Sequence, residues 1–440
     1  MSMSKPNQES SKVRVLCSQL SDKIGEGVMI QGWVHRTRYL GALAFAQVRD
    51  RSGLVQCVLE GKLVKTRLEL ESVVTVKGKV VASLKTTGGI EIQAEEIFVL
   101  NRAETPLPFE VNRKELGIKL ETILEHRVLS MRNPRVHAIF AIQAAIVTAF
   151  REYLNGLGFM QIFTPKLVAA GTEGGSNLFE VSYFEKKAYL AQSPQFYKQM
   201  MVGAGYERVY EIAPVYRAEE HHTSRHLNEY ISLDVEVGFV ESEAELMELE
   251  EDLLRFVVGK LGKMCEQELT LLGVSLPQVT TIPRITVEEA RTILLKEYGK
   301  TSPEGDLDPE GERLICRHFA EKEGAGMAFI TGYPVEIRPM YAMPTSDHPG
   351  LTASFDLLFN GVEITTGGLR IHDRNQLEQS MRSHGLQPDH FASYLELFRY
   401  GMPPHGGFAI GLERLVSRLL NLNNVREASA FPRDRSRLTP

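Results

Sequence analysis

The chain has 440 residues, of which 43% are hydrophobic and 24% charged, and its formal net charge is −6 at pH 7. This composition is typical of a soluble globular protein with two or three domains, and no apolar run is long enough to span a bilayer. Four scattered cysteines lack metal-ligand spacing, so we expect reduced thiols in a cytoplasm. An acidic chain is unusual for a nucleic-acid binder, although a mild excess of Lys and Arg in the first 105 residues fits local contact with RNA.

The N-terminal third begins with a polar segment, residues 1–12, which has no apolar stretch of the signal-peptide kind and is expected to be a disordered tail. Short strands separated by turn residues are then predicted across residues 13–105. The predicted strands are Val28–Val34, Ala44–Val48, Leu54–Leu59, Val73–Gly78 and Ile90–Ala94. Five short strands with one helical insert indicate a small closed barrel of the OB type.

A charged connector is expected for residues 106–130, followed by a long helix from about Val136 to Leu157. The apolar residues Ile139, Ile142 and Ile146 recur in it at the spacing of one helix face. The segment therefore predicts an amphipathic helix that begins a new domain.

The remaining chain, residues 131–440, mixes strand and helix patterns and is predicted to form one α+β domain. A second amphipathic helix is predicted from Ser242 to Met264. Residues 268–345 carry the weakest pattern, and we expect a small helical insertion there.

Two strands joined by a charged loop are predicted between Val209 and Asp234. Arg217 and Glu219 follow the first strand, and Tyr230 lies on the second. An arginine fixed beside an acid suits a phosphate, and an aromatic ring on the neighbouring strand offers a stacking face for a base. An ordinary salt-bridged hairpin is the alternative, and this segment alone leaves both open.

Three segments together resemble motifs 1, 2 and 3 of the class II aminoacyl-tRNA synthetases. The first is the pair GF at 158–159 and TP at 164–165, the second is the hairpin just described, and the third is GGFAIGLER at 406–414. Their order and spacing also fit. The resemblance implies an anticodon-binding OB-fold at 13–105, followed by a catalytic domain built on an antiparallel sheet flanked by helices at 131–440.

Within that class, a barrel ahead of the catalytic domain is similar to the aspartyl, asparaginyl and lysyl group. The chain looks most like the compact archaeal and eukaryotic aspartyl-tRNA synthetases, because QSPQFYKQ at 192–199 resembles their signature. This resemblance implies that Gln195, Lys198 and Arg370 surround the aspartate side chain. An asparagine amide would leave the two cations unpaired, and sites of that kind reject a wrong ligand by factors of about 10⁴. A solvated helix face is the alternative for Lys198.

Two acids resemble the family's ligands for the substrate α-ammonium, namely Glu173 and Asp234. Glycines beside Glu173 make its loop a candidate lid. For each acid taken alone, a surface salt bridge would be the default interpretation.

The resemblance also implies ATP as a substrate. Arg217 would contact the α-phosphate, Arg414 the γ-phosphate end, and Tyr230 would stack on adenine. Glu219 would contact the adenine amino group or the tRNA acceptor end, and Gly411 and Glu363 would complete the ATP site.

Asp356 and Glu363 match the magnesium carboxylates of the family. Mg²⁺ commonly takes one or two carboxylates together with phosphate oxygens. The spacing is weak support by itself, because a hairpin with one acid on each face would look similar.

In the barrel, Arg38, Phe45 and Gln56 match the family's readers of the central anticodon base. Charge, a stacking face and an amide are what recognition of single-stranded bases uses, although Phe45 could equally be a core residue. Strict archaeal-type enzymes tend to carry Trp at the position of His35, so His favours a relaxed enzyme that also aspartylates tRNA(Asn). Its product would need an amidotransferase partner.

Three alternatives remain on the same catalytic fold: an asparaginyl-tRNA synthetase, a paralogue that binds tRNA without charging it, and an asparagine-forming ligase. Lys198 and the closing FPRDRSRLTP argue against the first, and the presence of Arg217 and Arg414 argues against the second. The barrel at 13–105 argues against the third. A homodimer is expected by resemblance, because motif 1 lies at the dimer interface of class II enzymes.

Overall fold

The computed structural model describes residues 13–86, 88–171, 177–220, 223–324 and 326–440. The chain divides into two compact units, and the division after Gly117 falls within the predicted connector. The expected disordered tail, residues 1–12, and the predicted substrate ligand Glu173 lie outside the described residues.

The first unit contains a closed barrel with the strand order β1-β2-β3-β5-β4. Its strands are β1 (Gly27–Leu40), β2 (Leu43–Asp50), β3 (Gly53–Glu60), β4 (Val73–Ala82) and β5 (Ile90–Asn101). All five predicted strands are confirmed, since alternate residues such as Ala44, Ala46 and Val48 point into the barrel core. A short 3-10 helix, Gly61–Lys65, forms the expected helical insert.

The second unit is built on an eight-stranded sheet with the order β12-β13-β14-β15-β16-β11-β10-β6. The strands of this unit are β6 (Met160–Gln161), β7 (Leu167–Val168), β8 (Glu180–Tyr183), β9 (Lys186–Leu190), β10 (Arg208–Tyr216), β11 (Glu229–Gly238), β12 (Arg284–Thr286), β13 (Met327–Thr331), β14 (Ser354–Phe359), β15 (Val362–Arg370) and β16 (His405–Gly411). The run from β13 to β10 is antiparallel throughout, as predicted, and β12 and β6 add parallel edges. Strands β7, β9 and β8 form a separate small sheet.

The second unit also contains helices. They are α1 (Leu120–Glu125), α2 (Arg127–Ser130), α3 (Pro134–Gly156), α4 (Gln195–Met201), α5 (Glu243–Met264), α6 (Glu266–Leu272), α7 (Val287–Tyr298), α8 (Pro309–Glu323), α9 (Arg374–Ser383), α10 (Ala392–Leu397) and α11 (Leu412–Leu419). Both predicted long helices are confirmed as α3 and α5. Helix α3 begins where the Asn133 side chain accepts the Arg135 N–H and Pro134 occupies the first turn. Neither helix, nor any other in the described part of the chain, is long and apolar enough to cross a membrane.

The weakly patterned stretch 268–345 is more than a helical insertion. Its helices α7 and α8 are present, but β12 and β13 also extend the main sheet. Helices and strands share a small core that includes Leu294, Ile315 and Ile330. The strands escaped prediction because short apolar runs do not distinguish a buried strand from a buried helix.

Candidate active site and nucleic-acid interface

A cavity of about 310 Å³ lies over the centre of the main sheet. Nine of the predicted residues line it: Gln195, Arg217, Glu219, Tyr230, Asp234, Glu363, Arg370, Gly411 and Arg414. Lys198 and Asp356 are buried beside its wall and contact lining residues. Sequence reasoning missed three charged lining residues, Arg225, Arg338 and Glu413.

One end of the cavity contains a buried charge network. Lys198 Nζ lies 2.8 Å from Asp234 Oδ1 and 3.4 Å from Glu236 Oε2. Arg370 Nε donates to Glu236 Oε1 at 3.1 Å, and Gln195 Nε2 donates to the same oxygen at 3.2 Å. Burial alone would raise the pKa of Glu236, but the charges of Arg370 and Lys198 outweigh it and hold that pKa below its ordinary value. Glu236 therefore stays ionised and links both cations.

These contacts correct one expectation about selectivity. Lys198 and Arg370 already have Asp234 and Glu236 as partners, so an asparagine amide would not leave them unpaired. An amide NH₂ turned toward these ammonium and guanidinium groups would instead place donor against donor. A carboxylate could accept from both cations, so this pair would favour a carboxylate over an amide through acceptor geometry.

The paired glycines of the third motif make room for this network. A Cβ on Gly407 would lie 2.1 Å from the Val235 carbonyl oxygen and 2.4 Å from Glu236 Oε2. The Gly407 carbonyl also accepts from Arg370 Nη2 at 3.0 Å. Only glycine lets β16 approach so closely that its backbone helps to fix Arg370.

A neutral histidine, His405, borders this charge network. The Tyr394 hydroxyl donates to Gln199 Oε1 at 2.7 Å, so the Gln199 amide nitrogen donates to His405 Nε2, also at 2.7 Å. The other ring nitrogen, Nδ1, then donates to the Pro403 carbonyl at 2.9 Å. Burial lowers the pKa of His405 to about 4, so it is uncharged beside Arg370 at neutral pH.

Arg217 and Tyr230 share the other side of the cavity. The Arg217 guanidinium lies 5.9 Å from the centre of the Tyr230 ring, and its Nη1 is 4.0 Å from Glu219 Oε1. Asn228 Nδ2 fixes the start of the connecting loop by donating to the carbonyls of Arg217 and Glu219 at 2.7 and 3.0 Å. A cation and an aromatic face are thus held side by side.

Arg414 lies in the first turn of α11, and Gly411 caps that helix. Arg414 Nη1 donates to the Glu363 carbonyl at 2.9 Å, and Arg414 Nε donates to the Arg225 carbonyl at 3.4 Å. The neighbouring Glu413 accepts the Ile231 N–H at 3.0 Å, and burial raises its pKa to about 7. A helix N-terminus beside two arginines favours an anion at this end.

Asp356 and Glu363 are brought to one face by an irregularity in strand pairing. Asp356 lies opposite Thr366, but a register shift between Leu357 and Leu358 puts Glu363 opposite Leu358. Because a shift of one residue exchanges the faces of a strand, Glu363 joins Asp356 and accepts the Thr366 hydroxyl at 2.9 Å. Strict alternation would have separated the two acids.

The carboxylate pair suits a divalent cation. Burial raises the pKa of Asp356 to about 6, the nearby Glu363 adds to the rise, and Arg338 Nη2, 2.9 Å away, opposes it. Within the described ranges, no group of three or more His, Cys, Asp and Glu side chains could hold a metal ion. Mg²⁺ does not require such a group, since one or two carboxylates and phosphate oxygens suffice.

In the barrel, the three predicted readers of the central anticodon base share the outer face. Arg38 pairs directly with Phe45 across β1 and β2, and Gln47 pairs with Gln56 across β2 and β3. Arg38 is exposed, while Phe45 and Gln56 are half-buried on the face opposite the core. Phe45 is therefore not a core residue. Gln56 Nε2 donates a hydrogen bond to Glu91 Oε2 at 2.9 Å, which orients the Gln56 amide.

His35 is placed differently. It lies at a pairing irregularity between Val34 and Arg36, and it is 7% exposed. Its Nδ1 is 2.8 Å from Arg49 Nη1, and Arg49 forms two hydrogen bonds with Glu71 at 3.1 and 2.8 Å. Burial, together with the charge of Arg49, lowers the pKa of His35 to about 4.

This shift predicts acid sensitivity of the barrel. Because the folded-state pKa lies below the ordinary 6.5, the unfolded state binds more protons between pH 6.5 and 4. Stability should therefore fall as the pH falls through that window, by at most about 3.5 kcal/mol at about 1.4 kcal/mol per pKa unit. Trp33, the one tryptophan in the chain, reports on β1 by fluorescence during denaturant unfolding.

His35→Gln should flatten this pH dependence, while His137→Gln on the exposed side of α3 should leave it unchanged. An unaltered slope in His35→Gln would show that His35 is not the group responsible.

Comparison with known proteins matches each of the two units to a known domain family. Residues 119–435 match the family model for class II tRNA synthetases (D, K and N), and residues 28–100 match the model for an OB-fold nucleic-acid-binding domain. The predicted fold class is thereby confirmed.

Full-length relatives agree with these matches. The chain is 51% identical to an aspartate–tRNA(Asp/Asn) ligase of Thermus thermophilus, over 97% of this chain and 100% of the relative. It is 44% identical to an aspartate–tRNA(Asp) ligase of Pyrococcus abyssi, over 96% of this chain and 98% of the relative. The crystal structure of asparaginyl-tRNA synthetase from Pyrococcus horikoshii, complexed with asparaginyl-adenylate, superposes with a TM-score of 0.91 at 31% identity, covering 98% of this chain and 100% of that one. The chain therefore belongs to the class II tRNA synthetases of the aspartate, lysine and asparagine group.

Proposed function

We propose that this protein attaches L-aspartate to tRNA(Asp) and also to tRNA(Asn), with ATP as the energy source and aspartyl-adenylate as the intermediate. The main observation in favour of aspartate as the substrate is the pair of cations, Lys198 and Arg370, which Glu236 links at one end of the cavity. The names of the Thermus and Pyrococcus relatives support the same amino acid.

In the first step, the aspartate α-carboxylate attacks the α-phosphorus of ATP, and pyrophosphate leaves. The carboxylate is already ionised at neutral pH, so the step needs alignment and stabilisation of negative charge and no general base. Arg217 would bind the α-phosphate, Tyr230 would stack on adenine beside Glu219, and Arg414 with Gly411 would hold the far phosphates. Gln195 would position the amino acid, and Asp234 together with Glu173 would bind its ammonium group.

A magnesium ion fits this site through Asp356 and Glu363. Their carboxylates share one face, and Glu363 lines the cavity where the phosphates would lie. When bound, the ion would neutralise phosphate charge during the displacement. Arg338 would keep Asp356 oriented through their ion pair.

In the second step, a hydroxyl of the terminal tRNA adenosine attacks the adenylate carbonyl, and AMP leaves. The barrel would bind the anticodon through Arg38, Phe45 and Gln56 on its outer face. His35 is buried, so it would influence the neighbouring base by shaping the strand irregularity at Arg36. We place the enzyme in the cytoplasm as a homodimer, with an amidotransferase converting the product on tRNA(Asn).

Charging assays with labelled aspartate on separately purified tRNA(Asp) and tRNA(Asn) test this proposal, with labelled asparagine run in parallel. Aspartate on both tRNAs is the expected result. Aspartate on tRNA(Asp) alone would reject the relaxed specificity, and asparagine on either tRNA would assign the protein to the asparaginyl branch.

His35→Trp should lower charging of tRNA(Asn) by about tenfold more than charging of tRNA(Asp), because it would alter the strand irregularity beside one anticodon base, and discrimination at one base is worth about 1–3 kcal/mol. The measurement is kcat/KM for each tRNA. Aspartate-dependent ATP–pyrophosphate exchange needs no tRNA and serves as the control for an intact catalytic unit. Equal losses on both tRNAs would instead indicate general damage to the barrel.

A further inference from the structure

Glu312 stands outside every motif of the sequence, yet it contacts the cavity wall. It lies in the first turn of α8, within the stretch of weak sequence pattern, and α8 begins where Asp308 accepts the Gly311 N–H. Its side chain is 12% exposed, and it forms an ion pair with Arg225, 87 residues earlier in the chain. Glu312 therefore connects α8 to the loop between β10 and β11.

The same carboxylate also contacts β15. Glu312 Oε2 accepts the Glu363 N–H at 3.2 Å. The same oxygen therefore contacts both the Arg225 guanidinium and the backbone of Glu363, the candidate magnesium ligand. The two residues that Glu312 contacts, Arg225 and Glu363, both bind Arg414 through their carbonyl groups. The Arg225 carbonyl accepts from Arg414 Nε at 3.4 Å, and the Glu363 carbonyl accepts from Arg414 Nη1 at 2.9 Å.

These contacts form a closed ring: Glu312 binds Arg225 and Glu363, and their carbonyls bind Arg414. Arg225, Glu363 and Arg414 all line the cavity. The aspartate end, with Lys198 and Arg370, lies outside this ring and has its own partner in Glu236. Loss of Glu312 should thus disturb one end of the cavity and leave the other end in place.

We propose that Glu312 is a positioning residue for the triphosphate of ATP, acting through Arg225, Glu363 and Arg414. The inference rests on the proposed ATP-dependent reaction. It assigns a role to α8 that no motif predicts: the helix braces the arginines that receive the β- and γ-phosphates.

The test compares binding of ATP and AMP to the full-length protein by calorimetry in the presence of Mg²⁺. Glu312→Ala should weaken ATP binding about 10- to 100-fold, the size expected for a lost charged hydrogen bond. AMP binding should change less than about threefold, because AMP lacks the two phosphates at the ring. In ATP–pyrophosphate exchange, KM for ATP should rise while KM for aspartate stays nearly constant.

Glu310→Ala is the matched control, since Glu310 lies in the same helical turn but pairs only with Lys300 at 3.2 Å among the described residues and is 61% exposed at its side chain. It should bind ATP and AMP like the wild type. Glu312→Gln keeps an acceptor for the Glu363 N–H and should show an intermediate loss, which also guards against a folding defect in the alanine variant.

Equal loss of ATP and AMP binding, or no loss of either, would overturn the proposed role of Glu312. Wild-type protein without aspartate-dependent exchange would instead reject the proposed function. The two failures are therefore distinguishable in one set of measurements.

Discussion

Replacing Arg217 by alanine is expected to slow aspartyl-adenylate formation by about 10³-fold, with smaller changes in the KM values of ATP and aspartate. Arg217 lines the cavity between Tyr230 and Glu219, and the Asn228 amide holds its backbone. A guanidinium in this position would stabilise charge that builds on the α-phosphate during attack, so we expect its loss to affect kcat more than binding. Rapid-quench measurement of pyrophosphate release in a single turnover gives that rate directly.

Two further variants sharpen the test of Arg217. Arg217→Lys keeps the charge but loses the planar, bidentate donor, and we expect it to recover only part of the rate. Arg399→Ala, an exposed arginine in the same unit, should behave like the wild type. A rate within tenfold of wild type for Arg217→Ala would show that another group stabilises the α-phosphate.

Replacing Lys198 by methionine is expected to reduce kcat/KM for aspartate by about 10³-fold, because truncating one partner of a buried, hydrogen-bonded charge pair costs about 2–5 kcal/mol of binding. The side chains of Lys198 and Asp234 are each 1% exposed. Without Nζ, both Asp234 and Glu236 lose a cation, and the substrate carboxylate would meet two acids with only Arg370 to offset them. Aspartate-dependent ATP–pyrophosphate exchange measures this loss.

The same experiment includes two checks. Lys187→Met removes an exposed lysine on β9 and should leave aspartate activation unchanged. ATP binding to Lys198→Met should stay near the wild-type value, since Lys198 lies at the amino-acid end. Retention of aspartate kcat/KM within tenfold would contradict the assignment of Lys198 to the substrate carboxylate.

Local patterns predicted much of this molecule. The barrel strands and helices α3 and α5 follow from apolar spacing at periods of two and 3.6, which the backbone imposes wherever one side is buried. The three motifs located Arg217, Tyr230 and Arg414, and the fold then placed all three around one cavity. Each of these features is encoded within a short segment, so the sequence by itself determined them.

Contacts between distant segments were decided only by the tertiary structure. Glu236 meets Arg370 across 134 residues, and Glu312 meets Arg225 across 87, so no local period records either pair. The register shift at Leu357 and Leu358 brought Glu363 to the face of Asp356, although strict alternation would oppose it. Likewise, no sequence pattern indicated that His35, the position linked to tRNA(Asn) charging, is buried beside Arg49 with its pKa lowered to about 4. In each case the outcome depends on which groups are buried together away from water. The packing of the whole chain determines those groups.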